Sequence, residues 1–231
     1  MARECYEFKN CSHSGYVAHG WKRKRFLLDL LPCASGGCRS VAMDSLKLPL
    51  LFDAAALQQD LAGLEHVEWI DHFVQQNYEG SWTVIPLRGP RDATHPVMMI
   101  YSDPGCTDFA DTPYLEACPN VQKALARFEC PLNAVRLMRL TPGSVIKEHE
   151  DYDLSLEDGV ARLHIPITSN PAVDFRINDR RIVMAEGECW YLRLSDPHMV
   201  ANRGDDDRVH LVIDVTVNEW LTMLIDSGAV R

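Results

Sequence analysis

The run ARLHIPIT, residues 161–168, and the run RVHLVIDV, residues 208–215, decide the fold. Both are rich in residues that favour β-strands. Similar runs lie at 134–140, 173–177, 180–184 and 188–194. Turn-forming residues separate these runs, and they are Pro142-Gly143, Ser169-Asn170-Pro171, Asn178-Asp179, Glu186-Gly187 and Arg203-Gly204. Many short strands at about ten-residue spacing predict a β-sandwich or a jelly roll.

The segments on either side of this β core predict helices. Asp53 is a suitable N-cap for a helix over 53–64, in which Leu57, Leu61 and Leu64 recur at helical spacing. Further helices are predicted at 121–128 and 219–225, and short strands at 82–87 and 97–101. We therefore expect one mainly β domain with flanking helices over residues 43–231. Its parts are a helical N-terminal part (43–133), the β core (134–216) and a C-terminal helix (217–227).

The composition limits the classes of partner. The chain has 231 residues, a net charge of -10 and 46% hydrophobic residues, which suits a folded domain. An acidic chain of this kind is not suited to nucleic acid or to an anionic membrane as its main partner. No run of about 18 apolar residues is present, so we expect no membrane-spanning helix. The cysteines show no framework spacing, and this favours a reducing, cytoplasmic setting.

Residues 1–42 differ from the rest of the chain. They carry a net charge of +4 and four of the eight cysteines, which are Cys5, Cys11, Cys33 and Cys38. A signal peptide is one alternative, but the apolar stretch 26–31 is short and interrupted by Asp29. A zinc site at Cys5, Cys11 and His13 is another, but the spacing lacks the paired close ligands of a zinc finger. The third alternative, a disordered leader with Met43 as the true start, is the one we expect.

A metal-binding pattern lies in the β core. His149 and Asp151 are two residues apart, so on a strand their side chains point to the same face. His198 follows a later strand. Two histidines and one carboxylate form the facial triad of non-haem Fe(II) oxygenases, which leaves three positions on the iron open. An H-x-D triplet alone is a weak signal, because two exposed polar residues in an acidic loop give the same pattern.

Arg208 strengthens this interpretation. It comes ten residues after His198 and opens the apolar strand 209–215. A guanidinium buried at the base of a barrel needs a carboxylate partner, and the distal carboxylate of 2-oxoglutarate supplies one. The order H-x-D, about 50 residues, H, nine residues, R is far more specific than any of its parts.

The chain resembles a known family over about residues 80–216. The resemblance is to the aspartyl/asparaginyl β-hydroxylases, and bacterial proline hydroxylases of the same superfamily look similar here. It implies a double-stranded β-helix, the cupin-like jelly roll, that uses Fe(II), 2-oxoglutarate and O₂. The matching blocks are RLMRLTPG (136–143), HED (149–151), RLH (162–164), GECW (187–190), HMVAN (198–202) and RVHLVID (208–214).

The resemblance also implies roles for single residues. His149, Asp151 and His198 hold Fe(II), and Arg208 pairs with the distal carboxylate of 2-oxoglutarate. In the R-x-H strand, His164 helps to bind 2-oxoglutarate and Arg162 contacts a carboxylate or amide of the substrate. Arg162 and His164 are two residues apart and share one face of the strand, whereas Leu163 and Ile165 pack on the other.

Three positions depart from the family pattern, one in the metal triad and two in the substrate-binding residues. Asp151 stands where the animal peptide hydroxylases have glycine, so a complete triad is expected. Val160 replaces a second arginine, and Met138 replaces a serine on the preceding strand. Both changes weaken the case for a peptidyl-aspartate substrate and leave room for a free amino acid or another small substrate with a carboxylate. We therefore expect a hydroxylase that converts 2-oxoglutarate and O₂ to succinate and CO₂. Its substrate is an aspartyl or asparaginyl residue of a peptide or a related amino acid, or alternatively a free amino acid such as proline.

Several assignments stay open at this point. Asn202 is a candidate for a substrate contact or a simple turn residue. Trp82, Trp190 and Tyr191 are pocket candidates, although aromatic residues on strands are more often core. Arg88 and Arg136 are candidates for a second anion contact, and surface placement is expected for both. Two other classes of protein are alternatives. An inactive cupin-type binding or sensing protein is compatible with the fold. A zinc-dependent cupin enzyme would account for the triad but not for Arg208.

Overall fold

The computed structural model describes residues 43–101, 105–152 and 154–229, and the expectations for residues 1–42 lie outside this range. The described chain forms thirteen strands and five α-helices, with 3-10 turns at Gln75–Asn77 and Leu156–Asp158. The strands are β1 (Ser45–Leu51), β2 (Ile70–Asp71), β3 (Tyr78–Glu79), β4 (Trp82–Pro90), β5 (Phe109–Asp111), β6 (Leu132–Leu140), β7 (Val145–His149), β8 (Val160–Thr168), β9 (Val173–Ile177), β10 (Arg180–Ile182), β11 (Glu188–Leu192), β12 (His198–Asn202) and β13 (Arg208–Thr216). The helices are α1 (Ala54–Gly63), α2 (Pro96–Ile100), α3 (Pro113–Glu116), α4 (Pro119–Leu125) and α5 (Glu219–Ala229).

Two antiparallel sheets form the body of the described chain. The larger has the order β1-β11-β8-β13-β6-β4-β2, with β5 paired to β4. The smaller has the order β10-β9-β12-β7-β3. Strands that are distant in sequence lie side by side in both sheets, as in a jelly roll. The predicted fold class, mainly β with flanking helices in a double-stranded β-helix, is confirmed.

The two faces of the larger sheet bury different clusters, because side chains alternate along a strand. Outward-facing residues of β6, β8 and β13 pack against the helices, and this cluster includes Leu137, Leu163, Ile165, Leu211, Ile213, Leu57, Val121, Leu125 and Leu221. Inward-facing residues of the same strands pack against the smaller sheet in a second cluster, which includes Val84, Met138, Leu140, Val212, Ile146, Phe175 and Val200. Each large aliphatic side chain buried in this way contributes about 1.5–3 kcal/mol.

Register places polar residues together on the inner face. Strand β13 lies between β6 and β8, so Val212 is opposite both Arg136 and His164. Asp214 is opposite Arg162 in the same way. The interior of the jelly roll therefore contains charged side chains from three adjacent strands.

The structure differs from the prediction in the part of the chain before residue 134. This part is not mainly helical, because it supplies β1 at one edge of the larger sheet and β4 next to β6. These strands are formed by pairing with distant partners, such as Ser45 with Leu192, which local periodicity does not reveal. The strand predicted at 97–101 is wrong. Pro96 in the first turn and the His95 side chain, which accepts from the Val97 amide, start the short helix α2 there.

Helix α1 confirms the prediction for 53–64 more closely. The Asp53 side chain accepts a hydrogen bond from the Ala56 amide at 3.1 Å, as an N-cap does. The buried Asp60 carboxylate accepts from the amides of Asn120 and Val121 at the start of α4. In the described ranges no helix is long and apolar enough to cross a membrane.

Candidate active site and metal centre

The three predicted metal ligands come together at one end of the smaller sheet. His149 ends β7 and pairs across the ladder with His198, which begins β12. Asp151 lies two residues beyond His149, where its amide donates to the Leu194 carbonyl at 2.9 Å. One ligand atom from each of the three residues lies within 4.8 Å of the others. This spacing suits a single metal ion.

Both imidazole rings are oriented for binding through Nε2. The Nδ1 of His149 is 2.8 Å from the Lys147 carbonyl oxygen, and that of His198 is 3.0 Å from the Asp196 carbonyl oxygen. A carbonyl only accepts, so Nδ1 carries the proton and Nε2 keeps its lone pair. Burial, with His149 nearby, lowers the pKa of His198 to about 4, so this ring is neutral at pH 7. Two imidazole nitrogens and a carboxylate are the donor set that Fe(II) takes in a facial triad.

A cavity of about 510 Å³ opens beside these ligands. The inner face of the larger sheet lines it with Arg136, Met138, Arg162, His164 and Arg208. The smaller sheet adds Ile146, Phe175 and Val200 next to the two histidines. The cavity is large enough to hold two small molecules side by side.

Arg208 is a buried cation with no acid beside it. It is 2% exposed, and among the residues that the structure describes no carboxylate pairs with it. Its Nη2 donates to Nδ1 of His210 at 2.9 Å, and its Nε has no partner in the described chain. Burial lowers the pKa of Arg208 to about 9. A buried guanidinium of this kind fits a ligand carboxylate, as predicted for 2-oxoglutarate.

Arg162 lies in the cavity but is already paired with acids. Its Nη1 donates to Asp151 at 2.7 Å, and its Nε and Nη2 donate to Asp214 at 2.6 and 3.0 Å. Burial alone would lower the pKa of Arg162, but the two acids outweigh it and raise the pKa above the usual value. Asp151 therefore connects the metal site to the guanidinium predicted to contact the substrate.

Arg136 is a cavity residue, and its expected surface placement is wrong. It is 1% exposed, and its Nη1 donates to Asp214 at 2.9 Å. Its Nε and Nη2 are buried without a hydrogen-bond partner in the described ranges. Burial lowers the pKa of Arg136, and Asp214 offsets this only in part. The signal in the sequence is that residues 136, 138 and 140 share a strand face, and Met138 and Leu140 are core residues.

Asn202 is not a cavity residue. Its side-chain nitrogen donates to the carbonyls of Leu140 and Asp206 at 2.9 Å, and its oxygen accepts from the Gly204 amide. These bonds hold the turn between β12 and β13, so the turn interpretation is correct and the substrate-contact interpretation is not supported. Arg88 lies elsewhere too, bonded to Asp111 and the Phe109 carbonyl.

The three aromatic candidates have separate positions. Trp82 lines the cavity, with its ring stacked on His72 at a centroid distance of 3.5 Å. Trp190 is bonded to Glu188, and Tyr191 lies in the outer core cluster. Among the cavity residues that sequence reasoning missed are four with large rings, which are His72, Phe73, Tyr101 and Tyr152. They lie in loops and short elements without periodicity, so no local pattern marks them.

Comparison with known proteins finds a matching family, a related enzyme and a similar solved structure. A family model described as Aspartyl/Asparaginyl beta-hydroxylase matches residues 52–217. An L-proline cis-4-hydroxylase from Rhizobium meliloti (strain 1021) is 27% identical over 166 residues, which is 71% of this chain and 57% of that protein. The chain thus spans little more than half the length of this relative. An oxidoreductase of the 2OG-Fe(II) oxygenase family from Burkholderia pseudomallei aligns with a TM-score of 0.51 at 16% identity, over 80% of this chain and 93% of that one. The last similarity supports the fold.

Proposed function

We propose that this chain, which belongs to the aspartyl/asparaginyl β-hydroxylase family, is an Fe(II)/2-oxoglutarate-dependent dioxygenase that hydroxylates a small amino acid. The observation that carries the proposal is the environment of Arg208. This buried cation pairs with no carboxylate of the described chain, and it lines the same cavity as the cluster of His149, Asp151 and His198. A protein that only binds a metal has no use for such a group. The residues fit both iron and 2-oxoglutarate, because each presents the atom type that its ligand requires.

The protein residues divide the work between metal, co-substrate and substrate. His149, Asp151 and His198 would hold the iron through two Nε2 atoms and a carboxylate oxygen. Arg208 would hold the distal carboxylate of 2-oxoglutarate. When bound, iron and 2-oxoglutarate supply the oxidation by O₂, in which 2-oxoglutarate gives succinate and CO₂ and the substrate gains a hydroxyl group.

Charge in the cavity supports a substrate that carries its own carboxylate. Arg136, Arg162 and Arg208 are buried together, and among the described residues Asp214 pairs with Arg136 and Arg162, Asp151 pairs with Arg162, and no carboxylate pairs with Arg208. Once Arg208 is assigned to 2-oxoglutarate, the Nε and Nη2 atoms of Arg136, which have no hydrogen-bond partner in the described chain, still need an acceptor. The family has a second substrate-binding arginine at the position of Val160 on β8. In this chain Arg136, on β6, would supply that second guanidinium instead.

Asp151 and Arg162 fix the substrate relative to the metal. One Asp151 oxygen is 2.7 Å from Arg162 Nη1, and the other is 3.6 Å from Nε2 of His149. A carboxylate that binds the metal with one oxygen can keep this arginine with the other. The position of the substrate carboxylate is therefore fixed relative to the metal, and positioning of this kind contributes strongly to the reaction rate.

A free α-amino acid fits these features better than a residue inside a peptide, because it brings an α-carboxylate to Arg136 and Arg162. The similarity to an L-proline cis-4-hydroxylase makes proline the first candidate. An aspartyl or asparaginyl residue of a peptide is the second, supported by the family match.

Succinate formation tests the proposal. The protein is incubated with Fe(II), 2-oxoglutarate and air, and with free amino acids or with blocked Asp, Asn and Pro peptides. We expect one free amino acid to raise succinate formation well above the rate without substrate, and the blocked peptides to have no effect. Stimulation by a peptide alone would favour the second candidate. Binding of 2-oxoglutarate without succinate from any compound would favour an inactive cupin-type sensor.

A further inference from the structure

A chain of hydrogen bonds connects three buried side chains next to the cavity. Nη2 of Arg208 donates to Nδ1 of His210 at 2.9 Å. The same Nδ1 of His210 is 3.3 Å from Nδ1 of His164. Arg208 and His164 line the cavity, whereas His210 lies behind them on the inner face of the sheet. Two cavity residues therefore share one acceptor atom.

This geometry fixes the protons on both rings. A guanidinium has only N–H donors, so Nδ1 of His210 must keep its lone pair and His210 carries its proton on Nε2. The contact between the two Nδ1 atoms then needs a hydrogen on His164. A neutral His164 consequently has its proton on Nδ1 and a bare lone pair on Nε2.

That Nε2 is the atom that matters for the ligand. It is buried, and in the described part of the chain it has no hydrogen-bond partner. All the oxygen atoms of the 2-oxoglutarate dianion accept hydrogen bonds and none donates. A bare Nε2 cannot bind this ligand, so His164 can contact it only after Nε2 has gained a proton.

We propose that His210 is a positioning residue that orients Arg208 and holds a proton on Nδ1 of His164, so that binding of 2-oxoglutarate takes up one proton from solvent at Nε2 of His164. This inference rests on the proposed function, since it assumes that 2-oxoglutarate is the ligand of Arg208. The proton adds to Nε2, the ring becomes an imidazolium, and its two N–H groups donate to His210 and to a carboxylate oxygen.

The charges around His164 agree with the direction of this change. The groups that face it are Arg162 on its own strand, Arg208, His210 and Asp214 on β13, and His198 on β12, with the Phe175 ring of β9 edge-on. Burial, Arg208 and Arg162 hold the pKa of His164 well below its usual value while the cavity lacks an anion. A dicarboxylate would offset those positive charges and favour the protonated ring.

Calorimetry counts this proton directly. The full chain is loaded with Ni(II), which does not support turnover, and is titrated with 2-oxoglutarate at one pH in phosphate, HEPES and Tris. The dependence of the heat on the buffer gives the number of protons taken up. We expect about one per ligand, and a Kd that rises about tenfold per pH unit while the bound ring keeps its proton. Binding with no proton uptake would overturn the inference and leave the proposed function standing. No binding at all would overturn both.

Three variants assign the proton. His164→Gln should bind more weakly and take up none, and uptake that persists in this variant would mean that another group is protonated. His210→Phe removes the shared acceptor, so His164 is free to carry its single proton on Nε2 and uptake should disappear, with Kd raised about tenfold as Arg208 loses its partner. His210→Asn keeps an acceptor oxygen and should keep the uptake. Equal uptake in the Phe and Asn variants would overturn the role of His210.

Discussion

Replacing Arg208 by methionine should lower the affinity for 2-oxoglutarate without lowering the stability of the ligand-free protein. A charge-assisted hydrogen-bond pair contributes about 1.5–3 kcal/mol, which corresponds to about ten- to a hundredfold in affinity. In the ligand-free protein, the Arg208 charge is buried and no carboxylate of the described chain pairs with it. Methionine at this position therefore removes the free-energy cost of burying an unpaired charge. Methionine fills much of the same space. We expect the melting temperature of the free variant to be equal to or above that of the wild type.

Thermal melting with and without ligand measures both effects. At a ligand concentration of about 100 times Kd, binding stabilises the folded wild type by about 2.7 kcal/mol, or about 5–10 °C for a protein of this size. A hundredfold loss of affinity leaves about 0.4 kcal/mol, or about 1–2 °C. Each titration uses Ni(II)-loaded protein, so that 2-oxoglutarate is not consumed.

Arg162→Met is the control, because it should lower the stability of the ligand-free protein, whereas Arg208→Met should not. Removal of Arg162 leaves Asp151 and Asp214 without their shared partner, so the free protein should lose about 3–5 kcal/mol. An unchanged shift with 2-oxoglutarate in Arg208→Met would refute the assignment of Arg208. A large loss of stability in the free Arg208→Met protein would refute the claim that no acid in the described chain pairs with the Arg208 charge.

Four further changes test other parts of the account. His149→Ala and His198→Ala should each abolish metal loading in elemental analysis, whereas the exposed His66→Ala should not; loading retained in both would refute the ligand set. Arg136→Lys should raise the KM of the amino acid about ten- to a hundredfold and leave succinate formation without substrate unchanged, and an unaltered KM would place the carboxylate elsewhere. Burial would raise the pKa of Asp214, but Arg162 and Arg136 hold it far below its usual range, so its contribution is present above about pH 4 and is lost as the pH falls further. Asp214→Asn should therefore cost about 3–5 kcal/mol in denaturant at pH 7 and flatten the decline of stability in acid; an equal acid decline would contradict this. A chain that begins at Met43 should melt within a few degrees of the full chain and bind 2-oxoglutarate equally well, whereas a drop of many degrees would show that residues 1–42 belong to the fold.

The sequence predicted those parts of the molecule that depend on local patterns. The strand-favouring residues of 161–168 and 208–215 and the regular spacing of turns predicted the β core. Arg162 and His164 do share the inner face while Leu163 and Ile165 pack outward. The H-x-D triplet predicted a ligand cluster that the structure brings together. These features depend on the two-residue period of a strand, which is visible in one sequence.

The missing parts depend on pairing between distant segments. Arg136 is of a residue type usually found at the surface, yet the register of β6 against β13 places it opposite Val212 and next to Asp214. His210 acquires its role only because β8 brings His164 to within 3.3 Å. His72 and Phe73 reach the cavity from the segment between β2 and β3. No local signal predicts such contacts.

Mass spectrometry of a reaction under ¹⁸O₂ tests the central claim most directly. The protein is incubated with Fe(II), 2-oxoglutarate and the free amino acid that stimulates turnover most, starting with proline. We expect succinate and hydroxylated amino acid in equal amounts, each containing one ¹⁸O atom, and neither product from the His149→Ala variant. Consumption of 2-oxoglutarate without a labelled hydroxylated product from any amino acid or peptide would contradict the assignment as a hydroxylase.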